Sequence, residues 1–202
     1  MKAHAIMAKN CSIPPLEIYL HKAIPVGSGL GGGSADAAFA LKLINKLCKC
    51  RLSDDALEMM AASVGADCPF FIRNTPVLAT GTGTVLSPIE LSLKGYFIYV
   101  VKPPVSISTK EMYGMLKPRK PEFQLERLSS LPVSEWKDVL VNDFESVIIK
   151  QYPVIRQIKE KLYALGAEYA SITGSGSALF GLFNQPVSHH FPYCFVWKRM
   201  IR

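Results

Sequence analysis

Apolar residues in the first ninety positions recur at the spacings of one strand, two helices and a hairpin. Residues 14–21 alternate between apolar and polar positions, which predicts a half-buried strand. The helices are predicted over about 35–49 and 54–64, and the hairpin strands over 75–80 and 83–88. Ser53 stands where the N-cap of the second helix falls, and two aspartates follow it in the first turn.

Near residue 91 an apolar strand begins a second set of elements, which predicts a domain boundary. The predicted strands there cover 95–101, 168–172 and 178–183, and the predicted helices cover about 110–115, 135–151 and 153–165. Gly166 is the expected C′ residue of the last helix, and Pro118 and Pro121 punctuate a loop and helix region before it. The tail over 184–202 is expected to form a strand that returns to the first domain.

Five glycines lie between the predicted strand and the first predicted helix, namely Gly27, Gly29, Gly31, Gly32 and Gly33. A surface linker would be polar on both sides, whereas here an apolar strand leads in and an apolar helix leads out. The N–H groups of a loop without side chains can turn onto an anion, and the dipole of the following helix favours negative charge. Ser34 is the predicted N-cap of that helix. The segment is therefore predicted to bind a phosphate group.

Three common glycine motifs do not account for this loop. The Walker A motif requires Lys and then Ser or Thr after its last glycine, whereas Ser34 and Ala35 follow here. The dinucleotide fingerprint is met by Gly27, Gly29 and Gly32, but no second strand ending in an acidic residue follows. The loop of protein kinases would need His-Arg-Asp and Asp-Phe-Gly motifs, which the chain lacks.

The loop is the first of three segments that resemble, in order and at family spacing, motifs of the GHMP small-molecule kinases. They are Pro25–Ala35, then Gly65–Phe71 with the sequence Gly-Ala-Asp-Cys-Pro-Phe-Phe, and then Thr173–Ser177. The resemblance extends from about Ile18 to Phe183. It implies an α+β fold of two domains: an ATP-binding domain over 1–91, like domain 2 of ribosomal protein S5 and incomplete here, and a ferredoxin-like C-terminal domain over 92–183.

The resemblance assigns ATP to the glycine loop and to one lysine before it. The implied ATP-binding residues are Lys22, Pro25, Val26, Gly27, Ser28, Gly29, Leu30, Gly31, Gly32, Gly33, Ser34 and Ala35. The hydroxyl of Ser34 is also a candidate ligand of Mg²⁺. For Lys22 two alternatives stay open: it stacks near the nucleotide, or it has no part in binding.

Asp67 is the implied catalytic base, which would accept the proton of the substrate hydroxyl. Its structural alternative is an N-cap of the turn at Cys68-Pro69. The implied substrate-binding residues are Thr109, Gly174, Ser175 and Gly176. Their structural alternatives are a helix N-cap at Ser108-Thr109 and a tight turn between two strands.

The Pro-Phe-Phe end of the second segment resembles the branch of the family that acts on 4-diphosphocytidyl-2-C-methylerythritol. The resemblance therefore implies ATP-dependent phosphorylation of the 2-hydroxyl of that compound, a step of non-mevalonate isoprenoid synthesis, in the cytoplasm. Two alternatives stay open: another kinase of the family, of the homoserine or mevalonate type, and a non-catalytic nucleotide-binding fragment.

Family members carry a longer segment before the glycine loop, with a strand whose lysine lies beside the catalytic aspartate and lowers its pKa. Only 24 residues precede Pro25 here, and none of them matches that strand. The resemblance therefore implies a chain truncated at its amino end, whose transfer activity as given is weak or absent.

The net charge of +7 fits anionic ligands such as ATP and a diphosphate substrate. The basic residues are scattered rather than gathered in a stripe with aromatic residues, which argues against a nucleic-acid partner. No apolar run reaches the length of a membrane span, and no secretion signal is apparent. The five cysteines lack the paired spacing of a zinc site and are expected to be free thiols in a reducing compartment, and His189-His190 to be solvated.

Overall fold

The computed structural model describes residues 2–116 and 123–202, so that Pro118 and Pro121 lie outside the described residues. The chain divides into two compact units. Unit 1 comprises Met1–Ala23 and Gly31–Glu90, and unit 2 comprises Ile24–Leu30 and Leu91–Arg202. The first part of the glycine loop therefore packs within unit 2, and the chain returns to unit 1 at Gly31. None of the described helices has the length and hydropathy that a membrane span requires.

Unit 1 is a cluster of helices with one hairpin. Its described elements are α1 (Lys2–Asn10), α2 (Gly32–Leu47), α3 (Asp54–Ala62), α4 (Phe70–Arg73), β1 (Val77–Thr80) and β2 (Val85–Pro88). Ser53 caps α3 as predicted, because its hydroxyl accepts a hydrogen bond from the amide of Ala56. The core consists of residues that the helices turn inward, with Met7, Leu41 and Leu57 fully buried.

The predicted strand over 14–21 is wrong. These residues have no regular secondary structure, and Ile18, Tyr19 and Leu20 are exposed, Tyr19 by 89%. A strand is stable only when its backbone pairs with a neighbour, and no described strand lies beside this segment. The alternation of apolar residues is therefore present without the pairing that would make it a strand.

Unit 2 is built on a four-stranded antiparallel sheet. Its described elements are β3 (Phe97–Lys102), α5 (Thr109–Met115), 3₁₀ helices at Leu125–Ser130 and Val133–Glu135, α6 (Trp136–Val139), α7 (Glu145–Gln151), α8 (Pro153–Ala164), β4 (Tyr169–Ile172), β5 (Leu179–Phe183) and β6 (Phe195–Met200). The strand order β4-β5-β3-β6 is that of a ferredoxin-like sheet and confirms the α+β class.

The last strand corrects the prediction for the tail. β6 pairs with β3, in a register that sets Val101 opposite Val196 and Tyr99 opposite Lys198. The tail therefore returns to the sheet of unit 2 and not to the first domain. In a ferredoxin-like fold a second helix precedes the last strand, whereas residues 184–194 contain no helix here.

The sheet of unit 2 is covered on both faces. On one face α7 and α8 contribute Ile148, Ile155 and Leu162, which pack with Leu179 and Phe183. On the other face Trp136 and the 3₁₀ helices pack against Tyr169 and Leu182. Strands buried on both faces explain why the sequence of β4 and β5 is nearly continuous in apolar and small residues.

The single helix predicted over 135–151 is wrong, since residues 140–144 divide it into α6 and α7. Asn142 accounts for the break. Its side-chain oxygen accepts a hydrogen bond from the amide of Phe144 at 3.0 Å, and its backbone oxygen accepts one from the amide of Glu145 at 2.9 Å. Asparagine side chains offer the backbone such an alternative to helical hydrogen bonds.

Candidate functional site

The glycine loop ends at the first turn of α2. Gly31 is the N-cap, with a left-handed backbone at φ 67° and ψ 16°, and its carbonyl accepts the first helical hydrogen bond from Ala35 at 2.9 Å. Ser34, predicted as the N-cap, is instead the third residue of the helix. The helix starts earlier than predicted because Gly31 adopts the left-handed conformation that other residues avoid.

The first turn of α2 presents a set of unpaired polar groups. Among the described residues, none accepts a hydrogen bond from the amides of Gly32, Gly33 or Ser34, and none pairs with the Ser34 hydroxyl. The first amides of a helix have no partner within it, and the helix dipole gives them partial positive charge. This turn therefore has the features of an anion-binding site.

The preceding part of the loop packs against the Thr173–Ser177 turn, within unit 2. The carbonyl of Ser28 accepts hydrogen bonds from the amide of Ala178 at 2.9 Å and from the hydroxyl of Thr173 at 3.2 Å. A Cβ added to Gly29 would overlap the carbonyl oxygen of Thr173 and lie 2.8 Å from that of Gly176. Two segments more than a hundred residues apart in sequence are thus in direct backbone contact.

Within unit 1 the loop meets the second predicted segment. A Cβ added to Gly31 would lie 2.9 Å from Cζ of Phe71. The ring of Phe71 therefore occupies the space that any side chain at position 31 would need.

Charged residues fix the segment that follows Asp67 between two helices. Lys42 on α2 donates to the carbonyl of Ile72 at 2.7 Å, and Arg73 pairs with Asp55 and, at 2.6 Å, with Glu58 on α3. The hydrogen bond to Glu58 raises the pKa of Arg73 above its usual value. The helix α4 is thereby held against both α2 and α3.

Asp67 is exposed, and its carboxylate has no hydrogen-bond or ion-pair partner among the described residues. The alternative of a cap on the turn at Cys68-Pro69 is wrong, because the Asp67 side chain accepts no hydrogen bond from the amides of that turn, and the N-cap position of the following helix is Pro69. A carboxylate without a partner can accept a proton from a ligand.

The Thr173–Ser177 turn connects β4 to β5 and is anchored from several sides. The hydroxyls of Thr109 and Ser175 are 2.8 Å apart, and the Ser177 hydroxyl donates to the carbonyl of Val105 at 2.7 Å. Ser108 is the N-cap of α5, with its hydroxyl accepting from the amide of Glu111. The N-cap alternative is therefore confirmed for Ser108, and a contact of Thr109 with the substrate stays a prediction.

One anchor of this turn was absent from the sequence prediction. Asn142 donates hydrogen bonds from Nδ2 to the carbonyls of Ile172 and Gly174, both at 2.9 Å. An asparagine inside an apolar helical pattern is the only sequence signal that marks it, and this signal does not say which backbone it would bind.

Lys22 forms an ion pair with Asp36 on α2. Neither alternative for Lys22 included this partner. The ion pair leaves both alternatives for Lys22 open, because an ammonium group has three N–H donors and the carboxylate takes only part of them.

Other features of the described residues lie apart from these segments. A cavity of about 240 Å³ in unit 2 is lined by residues of β3, β5 and β6 and by Pro186 and Val187, and includes none of the predicted site residues. All five cysteines are free thiols. No cluster of three or more His, Cys, Asp or Glu side chains suited to a metal ion occurs in the described part of the chain.

Both units match known families. Residues 1–74 match the family model described as the N-terminal domain of the GHMP kinases, and residues 129–189 match the C-terminal domain of the same family. These ranges contain the glycine loop, Asp67 and the Thr173–Ser177 turn.

Individual relatives give the same result. The 4-diphosphocytidyl-2-C-methyl-D-erythritol kinase of Parabacteroides distasonis is 53% identical over 202 residues, which are 98% of this chain and 74% of the relative. A kinase of the same name from Bacteroides fragilis is 50% identical over 184 residues, or 91% of this chain and 67% of the relative. The crystal structure of a 4-(cytidine 5'-diphospho)-2C-methyl-D-erythritol kinase superposes with a TM-score of 0.75 at 29% identity, covering 90% of this chain and 67% of that one. The chain therefore belongs to the GHMP kinase family, in the branch that contains the 4-diphosphocytidyl-2-C-methyl-D-erythritol kinases.

Proposed function

We propose that the chain transfers the γ-phosphoryl group of ATP to the 2-hydroxyl of 4-diphosphocytidyl-2-C-methylerythritol. Membership of a family of ATP-dependent small-molecule kinases gives the reaction class. The names of the relatives give the substrate. The main structural observation behind the proposal is the unpaired first turn of α2 over Gly32–Ser34. Phosphoryl transfer depends mainly on positioning and on neutralising charge, and such a turn supplies both.

ATP would bind with its phosphates on this turn. The amides of the loop over 29–34 would donate to phosphate oxygens, and residues 25–28 and Ala35 would flank the nucleotide. Mg²⁺ would accompany ATP, because it prefers oxygen ligands and is commonly held by few protein groups plus the substrate phosphates. The partly buried, unpaired hydroxyl of Ser34 fits one position in its coordination sphere.

Asp67 would act as the base that takes the proton from the 2-hydroxyl as it attacks phosphorus. Its carboxylate is exposed and has no competing partner in the described residues. Gly174, Ser175 and Gly176, with the hydroxyl of Thr109, would contact the substrate. The amides of Gly174 and Ser175 have no acceptor among the described residues, which leaves them available to a phosphate oxygen. A cytoplasmic location is part of the same proposal, and the free thiols support it.

The substrate is tested by offering the purified chain ATP and Mg²⁺ with one acceptor at a time. The acceptors are 4-diphosphocytidyl-2-C-methylerythritol, homoserine and mevalonate, and the readouts are release of ADP and the shift in melting temperature on binding. We expect the methylerythritol compound alone to raise the melting temperature and to give a phosphate ester at its 2-hydroxyl, at the weak rate that the resemblance implies for this chain. Preference for homoserine or mevalonate, or a melting temperature that no acceptor raises, would contradict the proposal.

The base is tested by Asp67→Asn, which keeps the shape of the side chain and removes its ability to accept a proton. We expect kcat to fall by about 10²–10⁴-fold, the usual contribution of a positioned base, with little change in ATP affinity. The melting temperature should stay unchanged because the carboxylate holds no other group. The matched control is Asp54→Asn, at an exposed position in the first turn of α3. Equal kcat in Asp67→Asn and wild type would remove Asp67 from the mechanism.

A further inference from the structure

The Thr173–Ser177 turn is held by groups that come from distant parts of unit 2. The hydroxyls of Thr109 and Ser175 are hydrogen-bonded to each other, and the Ser177 hydroxyl donates to the carbonyl of Val105. The carbonyl of Ser28 accepts from the hydroxyl of Thr173 and from the amide of Ala178. Within the turn the amide of Gly176 donates to the carbonyl of Thr173 at 2.9 Å. These contacts fix the two ends of the turn and the side chain of Ser175. None of them fixes the peptide plane between Gly174 and Ser175.

Asn142 is the group that holds this plane. Its Nδ2 lies 2.9 Å from the carbonyl oxygens of both Ile172 and Gly174. Its Oδ1 accepts from the amide of Phe144 at 3.0 Å, so that the whole carboxamide is engaged. A side chain with both ends occupied has one orientation, which makes it a rigid brace between the α6–α7 connection and the turn.

Because the peptide group is planar, a fixed carbonyl at Gly174 also fixes the direction of the Ser175 N–H. In a trans peptide the C=O and N–H bonds point in opposite directions. With the Gly174 oxygen bound to Asn142, the amide of Ser175 points away from Asn142, and it has no acceptor among the described residues. An N–H fixed in this way costs no reorganisation when charge develops on a nearby oxygen.

We propose that Asn142 is a positioning residue for phosphoryl transfer, which aims the Ser175 amide at a phosphate oxygen by binding the carbonyls of Ile172 and Gly174. The inference rests on the proposed function, in which this turn contacts the substrate or the transferred group. It adds a residue outside the three glycine and aspartate segments, one that touches no reacting atom and acts through the backbone of the turn.

The test is Asn142→Asp, which has the same shape and can still accept from Phe144 but places an oxygen against two carbonyl oxygens. The matched control is Asn45→Asp in unit 1, because Asn45 also donates to a carbonyl, that of Leu52, and accepts from the amide of the same residue. A second variant, Asn142→Ser, replaces the two N–H donors by one hydroxyl on a shorter side chain without adding charge, and serves if the aspartate variant does not fold.

Three readouts test this inference, and the first of them does not depend on the proposed function. Amide hydrogen exchange at Thr173 and Gly176 should accelerate by about tenfold or more in Asn142→Asp and Asn142→Ser, and stay at the wild-type rate in Asn45→Asp. Under the proposed reaction kcat should fall by about 10²-fold while the KM for ATP changes little, because a misplaced group costs transition-state contacts. The kcat of Asn142→Asp relative to wild type should rise as the pH is lowered, since a protonated carboxyl can again donate.

The outcomes are decisive in each direction. Unchanged exchange in both Asn142 variants overturns the inference whatever the kinetics. Faster exchange with unchanged kcat also overturns it, because the turn would then have no part in transfer. Absence of both transfer and substrate binding in the wild type contradicts the proposed function, and the exchange rates then decide alone whether Asn142 positions the turn.

Discussion

At Gly29 the glycine loop approaches the Thr173–Ser177 turn so closely that no side chain fits between the two backbones. Its φ of +75° is, in addition, one that residues with a Cβ rarely adopt. We expect Gly29→Ala to lower the free energy of unfolding by about 3 kcal/mol or more, since strain and overpacking add. Urea unfolding measures the change.

The control for Gly29 comes from the same loop. A Cβ on Gly33 would meet nothing within 4 Å, and Gly33 lies in the first turn of α2. Gly33→Ala should leave the stability unchanged or raise it by about 0.5–1 kcal/mol, because alanine favours the helix. Equal losses in the two variants would show that the contact with the turn does not constrain position 29.

Tyr169 on β4 gives a prediction for alkaline pH. Burial raises the pKa of its phenol to about 12, from an ordinary value of 10.0. The unfolded chain therefore releases this proton first, so that stability is intact below pH 10 and falls as the pH rises toward 12. The loss attributable to Tyr169 is about 2 kcal/mol.

The measurement compares wild type with Tyr169→Phe. Urea unfolding at about pH 9 and about pH 11 should show a smaller decrease of stability in the variant, because its phenyl ring has no proton to lose. Subtracting the change of the variant from that of the wild type removes the contribution of the other tyrosines and of the lysines, which titrate in both proteins. The same decrease in both would mean that Tyr169 ionises as easily in the folded state as in the unfolded chain.

The short helix α5 depends on its cap. Ser108 accepts from the amide of Glu111 at 3.3 Å, and the helix begins at the next residue, Thr109, whose hydroxyl lies against Ser175. Ser108→Ala should reduce stability by about 1 kcal/mol, whereas Ser108→Asp should preserve it because aspartate caps equally well. Thermal melting with Ser106→Ala, at an exposed neighbouring position, provides the reference. A loss in Ser106→Ala as large as in Ser108→Ala would contradict the capping role.

The two units have separate cores. Loss of a strand from the sheet of unit 2 should therefore lower exchange protection mainly within unit 2. β6 covers one edge of β3, and Ile201 exchanges hydrogen bonds with Gly95 and Tyr96 at 3.0 and 2.8 Å. Deletion of 195–202 should remove the exchange protection of amides in β3 and β5 and reduce that of α2 and α3 far less. Deletion of Arg202 alone is the control. Retained protection in β3 would contradict a structural role for the tail.

Several elements could be predicted because their signals act over a few positions. The Ser53 cap, the hairpin around Gly81-Thr82-Gly83 and the helix stop at Gly166 all formed as predicted. In each case one residue and a neighbour less than five positions away make the hydrogen bond or adopt the backbone conformation. The glycine loop belongs to the same group, since its composition and the helix after it were sufficient to predict unpaired amides.

Other features depended on partners that are far away in sequence. The alternating segment 14–21 is no strand without a paired neighbour, and β6 has its place because β3 offers a free edge. Asn142 ends α6 through local hydrogen bonds, but the two carbonyls that its Nδ2 binds, those of Ile172 and Gly174, lie thirty residues or more further along the chain.

The sequence thus carried the class of the fold, the Ser53 cap, the hairpin turn at 81–83, the helix stop at Gly166 and the glycine-loop motif. Contacts such as that of Gly29 with Thr173, or of Asn142 with Gly174, came from the folded chain alone. The physical reason is that such a contact is stable only when the fold brings both partners together. A periodic pattern indicates whether each residue is buried or lies in a turn, but not which distant residue it contacts.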